Sequence, residues 1–206
     1  LLHALSVYTR KPIPDLAEEA YYLERNILSR STGKQDQYTA TLGGCRAYTA
    51  LKNGKVSYGP PMDVEGLEEH LCLFYTGLLR DADTMIRKVA NREEELHKIK
   101  RIGEESWEAL NDKDWDHFGF LLDEHWKVKR GMVEGMTTSK LDQVYEEALR
   151  NSALGGKLVG AGGGGFFLFY IKYPSHRQYI VKKMRDLGLP EVPFRFEKDG
   201  SKVIEL

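Results

Sequence analysis

Apolar residues recur along the first part of this chain mainly at helical spacing. Leu1, Leu2, Ala4 and Leu5 open it inside a periodic segment with no capping residue ahead of them, so residues 1–9 read as the tail of a buried helix. Pro12 and Pro14 break that segment. Asp15 then caps a second helix, with Glu18 three residues on as in a capping box, and Leu16, Ala20, Leu23 and Ile27 make its core-facing stripe. A polar loop over residues 29–37 follows. Arg46–Leu51 and Lys55–Tyr58 flank an Asn53-Gly54 pair, which predicts a hairpin. Gly59-Pro60-Pro61 marks the expected boundary between one domain of residues 1–62 and another of residues 63–206.

Beyond the boundary, Leu71–Tyr75 is a short apolar run suited to a buried central strand. Residues 82–133 are charged and helical in period. Trp115, Phe118, Leu122 and Trp126 form one stripe there, on a helix starting at Asn111 or Asp112. Leu141, Val144, Tyr145, Ala148 and Leu149 define another amphipathic helix. Lys157-Leu158-Val159 leads into a glycine loop, Phe166–Ile171 reads as a second buried strand, and Tyr179, Val181 and Met184 belong to a further helix. Two closing strands, Val192–Phe196 and Lys202–Leu206, flank an Asp199-Gly200 turn. This order predicts an antiparallel sheet covered by helices, hence an α+β fold.

Composition narrows the function classes. With 30 basic and 31 acidic residues the chain has no general pull toward nucleic acid or an anionic membrane. Its two cysteines, Cys45 and Cys72, lack metal-ligand spacing and read as core thiols of a reducing compartment. No apolar run is long enough to span a membrane and no cleavable leader is visible, so the cytoplasm is the expected location. The chain opens without Met inside an apolar pattern, which leads us to expect a segment ahead of Leu1.

Three features carry candidate chemistry. The run Gly160-Ala161-Gly162-Gly163-Gly164-Gly165 satisfies G-x-G-x-x-G, yet strand-like Phe166–Ile171 follows it. No helix N-terminus awaits a dinucleotide pyrophosphate, and no Gly-Lys-Ser/Thr completes a Walker loop. What remains is a bland turn or a loop kept bare so that a phosphate or another loop can reach its backbone. Asp36, between Gln35 and Gln37 and two residues from Lys34, is an ordinary turn aspartate or a general base kept ionised by donors and a cation. Glu24, on the border of its helix's apolar face, is a solvated acid or a single ligand for Mg2+.

Together, Gly33-Lys34-Gln35-Asp36-Gln37-Tyr38, the following Gly43-Gly44, and Gly156-Lys157-Leu158-Val159 with the glycine run resemble the later motifs of the GHMP small-molecule kinases. That superfamily includes galactokinase, homoserine kinase, mevalonate kinase and phosphomevalonate kinase. Within it, Lys34–Tyr38, Leu73–Gly77 and Val192-Pro193-Phe194 are similar to the D-glycero-D-manno-heptose 7-phosphate kinases, and the likeness runs from residue 1 to residue 206. The resemblance implies the remainder of an S5-like N-terminal domain over residues 1–62. Over residues 63–206 it implies a ferredoxin-like C-terminal domain with helical additions.

The resemblance also implies an activity: transfer of a phosphoryl group from ATP, with Mg2+, to the anomeric hydroxyl of a heptose 7-phosphate, giving the 1,7-bisphosphate. Asp36 falls on the family's proposed base. Glu24 falls near its Mg2+ ligand, though one residue further from Asp36 than in mevalonate kinases. Gly160, Ala161, Gly162, Gly163 and Gly164 fall on the loop beside the nucleotide phosphates. Lys34, Gln35, Gln37, Thr76, Gly77 and Arg80 are implied on the acceptor side, Arg80 by the fit of its planar fork to phosphate oxygens. The family's first motif and its second, Pro-x-x-x-Gly-Leu-Gly-Ser-Ser-Ala, are absent, and the second is expected directly ahead of Leu1. Two alternatives stand beside this reading. One is the same chemistry on another acceptor, such as mevalonate, another sugar or an amino acid. The other is a non-catalytic fragment that self-associates through Leu1–Leu5 as a homo-oligomer.

Overall fold

The computed structural model describes residues 1–79 and 82–204. Contacts divide the chain into two units, one of residues 1–63 with the tail from Phe196 onward, the other of residues Val64–Arg195.

In the first unit, α1 (Leu2–Thr9) buries none of its residues, and Leu1 is 94% exposed. The buried helix expected there is therefore an uncovered one among the described residues. α2 (Leu16–Tyr22) is capped as predicted, the Asp15 carboxylate accepting the Glu18 amide at 3.0 Å. At Leu23 the helix widens into a π-turn, Leu23–Ile27. Its i→i+5 bonding rotates later residues off the predicted stripe. Ala17 is the buried position, while Ile27 is exposed.

α3 (Gln35–Leu42) follows, then the hairpin of β1 (Tyr48–Ala50) and β2 (Val56–Tyr58), with Tyr48 opposite Tyr58. The tail returns to the C-terminal end of α3. Glu197 accepts the Gly44 amide at 2.8 Å and Thr41 accepts the Ser201 amide at 3.2 Å. The closing strands expected over 192–206 do not form among the described residues. Among them Val192 meets a sheet edge only through its own amide, and beyond Phe196 the backbone bonds to the end of α3 instead.

The second unit is built on an antiparallel three-stranded sheet ordered β3 (Leu71–Tyr75), β5 (Phe166–Ile171), β4 (Ala153–Leu158). β3 reads as a buried strand because β5 covers one edge, and residues 190–192 extend along the other through Tyr75 N to Pro190 O at 3.0 Å and Val192 N to Leu73 O at 2.8 Å. Five helices follow from the charged and amphipathic segments: α4 (Ala82–Val89), α5 (Glu93–Asn111), α6 (Trp115–Met132), α7 (Ser139–Arg150) and α8 (Arg177–Asp186). α6 starts later than predicted, at the cap Asp114, whose carboxylate accepts the His117 amide at 3.1 Å.

Trp126, Tyr145, Phe74, Phe167, Phe169, Leu158 and Met184 form the core between sheet and helices. α6 lies close on β4. A Cβ on Gly155 would stand 2.0 Å from the Gly119 carbonyl oxygen, and one on Gly119 would stand 2.3 Å from the Tyr170 ring, so each glycine is required by a different neighbour. The α+β arrangement of an antiparallel sheet under helices is thus present. No helix among the described residues is long and apolar enough to cross a membrane.

Candidate functional site

The residues singled out from the sequence lie on two groups of elements, one in each unit, and each group is described by itself.

In the first unit, Asp36 stands in the first turn of α3, not on the connection where the sequence places it. The helix begins early because Gln35 continues from Lys34 in helical conformation, with no capping side chain to mark the start. An acid in this turn suits the positive end of the helix dipole. The Asp36 side chain is exposed and meets no donor among the described residues. Gln35 is exposed as well, whereas Gln37 turns inward, 6% exposed, with its Oε1 buried and unpaired. Glu24 sits half-buried in the π-turn. Such turns occur frequently at functional sites.

Lys34 was expected to serve Asp36 or the acceptor, but its ammonium is committed elsewhere. It donates to both carboxylate oxygens of Glu18, each at 2.7 Å, and to the Gly54 carbonyl at 2.7 Å, which uses all three of its donors. It also lies over the Tyr21 ring, 4.9 Å from the centroid. Tyr38 adds a third bond to Glu18 at 2.7 Å. The Lys34 bond, then the Tyr38 bond, hold the Glu18 carboxyl below the usual carboxylate range. Burial, then Glu18, push the Tyr38 phenol up. So only half of the predicted capping box forms, because the Glu18 side chain turns to Lys34 and Tyr38. Alongside runs an open cleft of about 800 Å³ lined by Ile13, Leu16, Lys34, Tyr38, Leu42 and Val56 among others, with neither Asp36 nor Glu24 on its wall.

In the second unit the glycine loop joins β4 to β5. Gly163 donates to Met136 O at 3.0 Å and Gly165 to Leu78 O at 2.9 Å. The amides of Gly160, Ala161 and Gly164 have no acceptor among the described residues, although Gly164 is buried, while buried Gly162 closes the turn over Gly160 and Ala161. Buried donors without acceptors are costly. Part of the glycine requirement is structural: a Cβ on Gly162 would stand 2.1 Å from the Met136 sulfur, and one on Gly164 would stand 2.5 Å from Leu78 O. A Cβ on Gly160, at φ +78°, would meet nothing within 4 Å among the described residues. Thr76 is buried against this loop, bonded to Gly165, and Gly77 follows it, exposed. Arg80 lies outside the described residues.

Sequence reasoning gave no role to three further side chains at the start of this loop. Lys129 on α6 donates to the Gly160 carbonyl. Lys157 on β4 reaches His125 Nε2 at 3.3 Å. The available signals were a lysine inside an apolar strand and a His125/Lys129 pair one helical turn apart. Burial brings Lys129 down to about 8. Burial and the neighbouring Lys129 bring Lys157 down to about 8 as well. Burial, then the two lysines, push His125 down to about 3, so it is neutral.

The chain is similar to known proteins in sequence and in fold. Residues 107–188 match the family model described as GHMP kinases C terminal. The chain is 30% identical over 198 residues to a D-glycero-alpha-D-manno-heptose 7-phosphate kinase of Campylobacter jejuni, covering 91% of this chain and 58% of that relative. It is 25% identical over 203 residues to a mevalonate kinase of Pyrococcus abyssi, covering 93% of this chain and 57% of the relative. Among solved structures it is similar to a D-glycero-D-manno-heptose 1-phosphate kinase of Bacteroides thetaiotaomicron, with a TM-score of 0.74, 28% identity, and coverage of 98% of this chain and 60% of the other. The chain therefore spans under two thirds of the length of these relatives.

Proposed function

We propose that the intact protein is an ATP-dependent sugar-phosphate kinase, acting on the anomeric hydroxyl of a heptose 7-phosphate, a reading supported by the match of residues 107–188 to the GHMP kinase C-terminal family model. The observation that carries the reading is the 30% identity to the Campylobacter heptose 7-phosphate kinase over nearly the whole chain. The glycine loop supports it, since the Gly160, Ala161 and Gly164 amides lack acceptors among the described residues and phosphate oxygens are acceptors of the right kind.

In this reading Asp36 takes the proton of the acceptor hydroxyl, and its exposure leaves it open to substrate. Gly160, Ala161 and Gly164 hold phosphate oxygens through their free amides, Gly162 lies beside them in the turn, and Gly163 keeps the loop in shape through Met136 O. Gln35 and Gly77 are exposed for contact with the acceptor. Lys34 joins them only by leaving Glu18. No three His, Cys, Asp or Glu side chains converge among the described residues, so Mg2+ would rest on Glu24 with phosphate oxygens and water, a donor set that fits this ion. Mg2+ would supply charge neutralisation on the transferring phosphate. The 206-residue chain alone is expected to be inactive, because it lacks the motif that wraps the triphosphate in the family it resembles.

A second acceptor class follows from the mevalonate kinase likeness, which covers as much of the chain at lower identity. ADP release by the intact protein, measured over heptose 7-phosphate, heptose 1-phosphate, galactose and mevalonate, separates the readings. Heptose 7-phosphate is expected to lead in kcat/KM by at least about 100-fold, the margin a site built around substrate hydroxyls can give. A lead for mevalonate, or no ADP release with any acceptor, would sink the proposal.

A further inference from the structure

Resting on the reading of the glycine loop as a phosphate-binding loop, we propose that Lys129 and Lys157 are further phosphate-binding residues at its Gly160 edge, with His125 as the neutral floor between them. The two ammonium groups converge from different elements, α6 and β4, at the point where β4 passes into the loop. Neither has a carboxylate within 4 Å among the described residues. The acids nearby are committed elsewhere: Asp123 and Glu124 pair with Lys127 at 2.7 and 2.9 Å, and Glu146 lies 4.0 Å from Arg130. Partly buried cations are ordinarily paired. Here both lie beside His125 instead, Lys157 in contact with its ring and Lys129 one helical turn further along α6 on the Gly160 carbonyl; burial lowers the basicity of both, and Lys129 adds to the effect on Lys157.

Counting donors sharpens the argument. Two ammonium groups offer six N–H bonds, of which the structure uses one on Gly160 O and one on His125 Nε2. Because His125 accepts at Nε2, its proton sits on Nδ1, which is buried and unpaired. The imidazole therefore adds no charge and leaves Lys157 without an anionic partner. The Gly160 and Ala161 amides, next in the chain, also lack acceptors among the described residues. Several free donors and two positive charges suit a doubly charged oxyanion better than a single carboxylate.

The phosphate could come from a nucleotide polyphosphate or from a phosphorylated sugar, and the test separates the two. The 206-residue chain is trace-labelled with acetic anhydride at pH 8, and modification is read at each lysine by mass spectrometry. Inorganic phosphate, pyrophosphate, ADP and mannose 6-phosphate are added singly. Lys129 and Lys157 are expected to label readily when free. Both should slow about tenfold as the binding ligand rises to about ten times its Kd. Protection by pyrophosphate and ADP assigns the nucleotide, and protection by mannose 6-phosphate alone assigns the sugar.

Pyrophosphate titration followed by phosphorus NMR provides the second arm. Lys129→Met and Lys157→Met should each weaken binding at least about tenfold, the cost of truncating one partner of a close charge pair. Lys157→Arg should retain most of the affinity, and Lys182→Met on α8 should change nothing. Labelling unaffected by every ligand, or slowed equally at exposed lysines, would overturn the proposal. Because binding is read and not turnover, this result is independent of whether Asp36 acts as a base.

Discussion

Thr76 donates both its backbone N–H and its hydroxyl to one acceptor, the Gly165 carbonyl, each at 2.9 Å. The same hydroxyl accepts the Leu78 amide at 3.3 Å, and Leu78 returns its carbonyl to the Gly165 amide at 2.9 Å. The end of β3 and the end of the glycine loop therefore clamp one another. Thr76, placed beside the acceptor by sequence resemblance, commits its only hydroxyl proton to the loop in this structure.

Thr76→Val tests that clamp, since it keeps the shape of the side chain and removes the hydroxyl. Loss of the hydroxyl bond, with Leu78 N left seeking an acceptor, should cost about 1–3 kcal/mol in urea unfolding. The Gly165 amide should exchange hydrogen faster. Thr76→Ser should recover most of the loss, and an unchanged midpoint for Thr76→Val would refute the clamp.

The glycine loop should not be uniformly sensitive to substitution. Gly164→Ala drives a Cβ to 2.5 Å from backbone oxygen that cannot swing aside, and should destabilise by about 2–3 kcal/mol. Gly160→Ala meets open space and carries only the strain of φ +78°, about 1 kcal/mol. Thermal unfolding of the two variants side by side gives the order directly. The reverse order would show that backbone conformation, not packing, dictates the glycines.

How far the sequence could be read follows from the range of each interaction. The Trp115 to Trp126 stripe and the Asn53-Gly54 hairpin rest on neighbours within a turn or two, and both elements are present. All of α3, Gln35–Leu42, is absent from the sequence reading, because Lys34 is no capping residue and the polar run Gln35-Asp36-Gln37 looks like a loop. The tail was misread because Gly44 and Glu197 sit 153 positions apart, and a local alternation of apolar residues carries no news of such a partner. Glu18 was read as the reciprocal half of a capping box, a local habit that lost to a lysine 16 residues away. At the candidate site, Asp36 and the glycine loop stood out by residue type. The lysines at 129 and 157 did not, because what distinguishes them is burial without an anion.

Glu18 should make the first unit sensitive to pH at both ends. Its carboxyl is held low, so its contribution is fully present above its ordinary value near 4.5 and is lost as pH falls through the lower folded value. Tyr38 is pushed up, so its contribution is present below its ordinary value of 10.0 and is lost as pH rises past it. Glu18→Gln should flatten the acid limb. At neutral pH it should cost only about 1 kcal/mol, because the Glu18 side chain is 36% exposed and water screens the pair. Chemical denaturation at pH 3, 7 and 11 checks the signs. An acid limb equally steep in the variant would remove Glu18 from the account.

Asp36 separates chemistry from folding more sharply than any other position. Its carboxylate touches no protein donor among the described residues, so neutralising it removes little structure. The change in stability should stay below about 1 kcal/mol, the worth of an exposed acid in the first helical turn. If the same carboxylate takes the acceptor's proton, Asp36→Asn in the intact kinase should lower kcat by about 10²–10⁴-fold, the usual contribution of a positioned general base. The KM for ATP should hold within about twofold, because the nucleotide is not what Asp36 contacts. A stable Asn variant that turns over at nearly the parental rate would leave the exposed acid as a helix-end charge and move the base elsewhere. An unstable one would mean that the open side chain has a partner in the full-length protein, and Asp36→Glu would then restore stability without restoring rate.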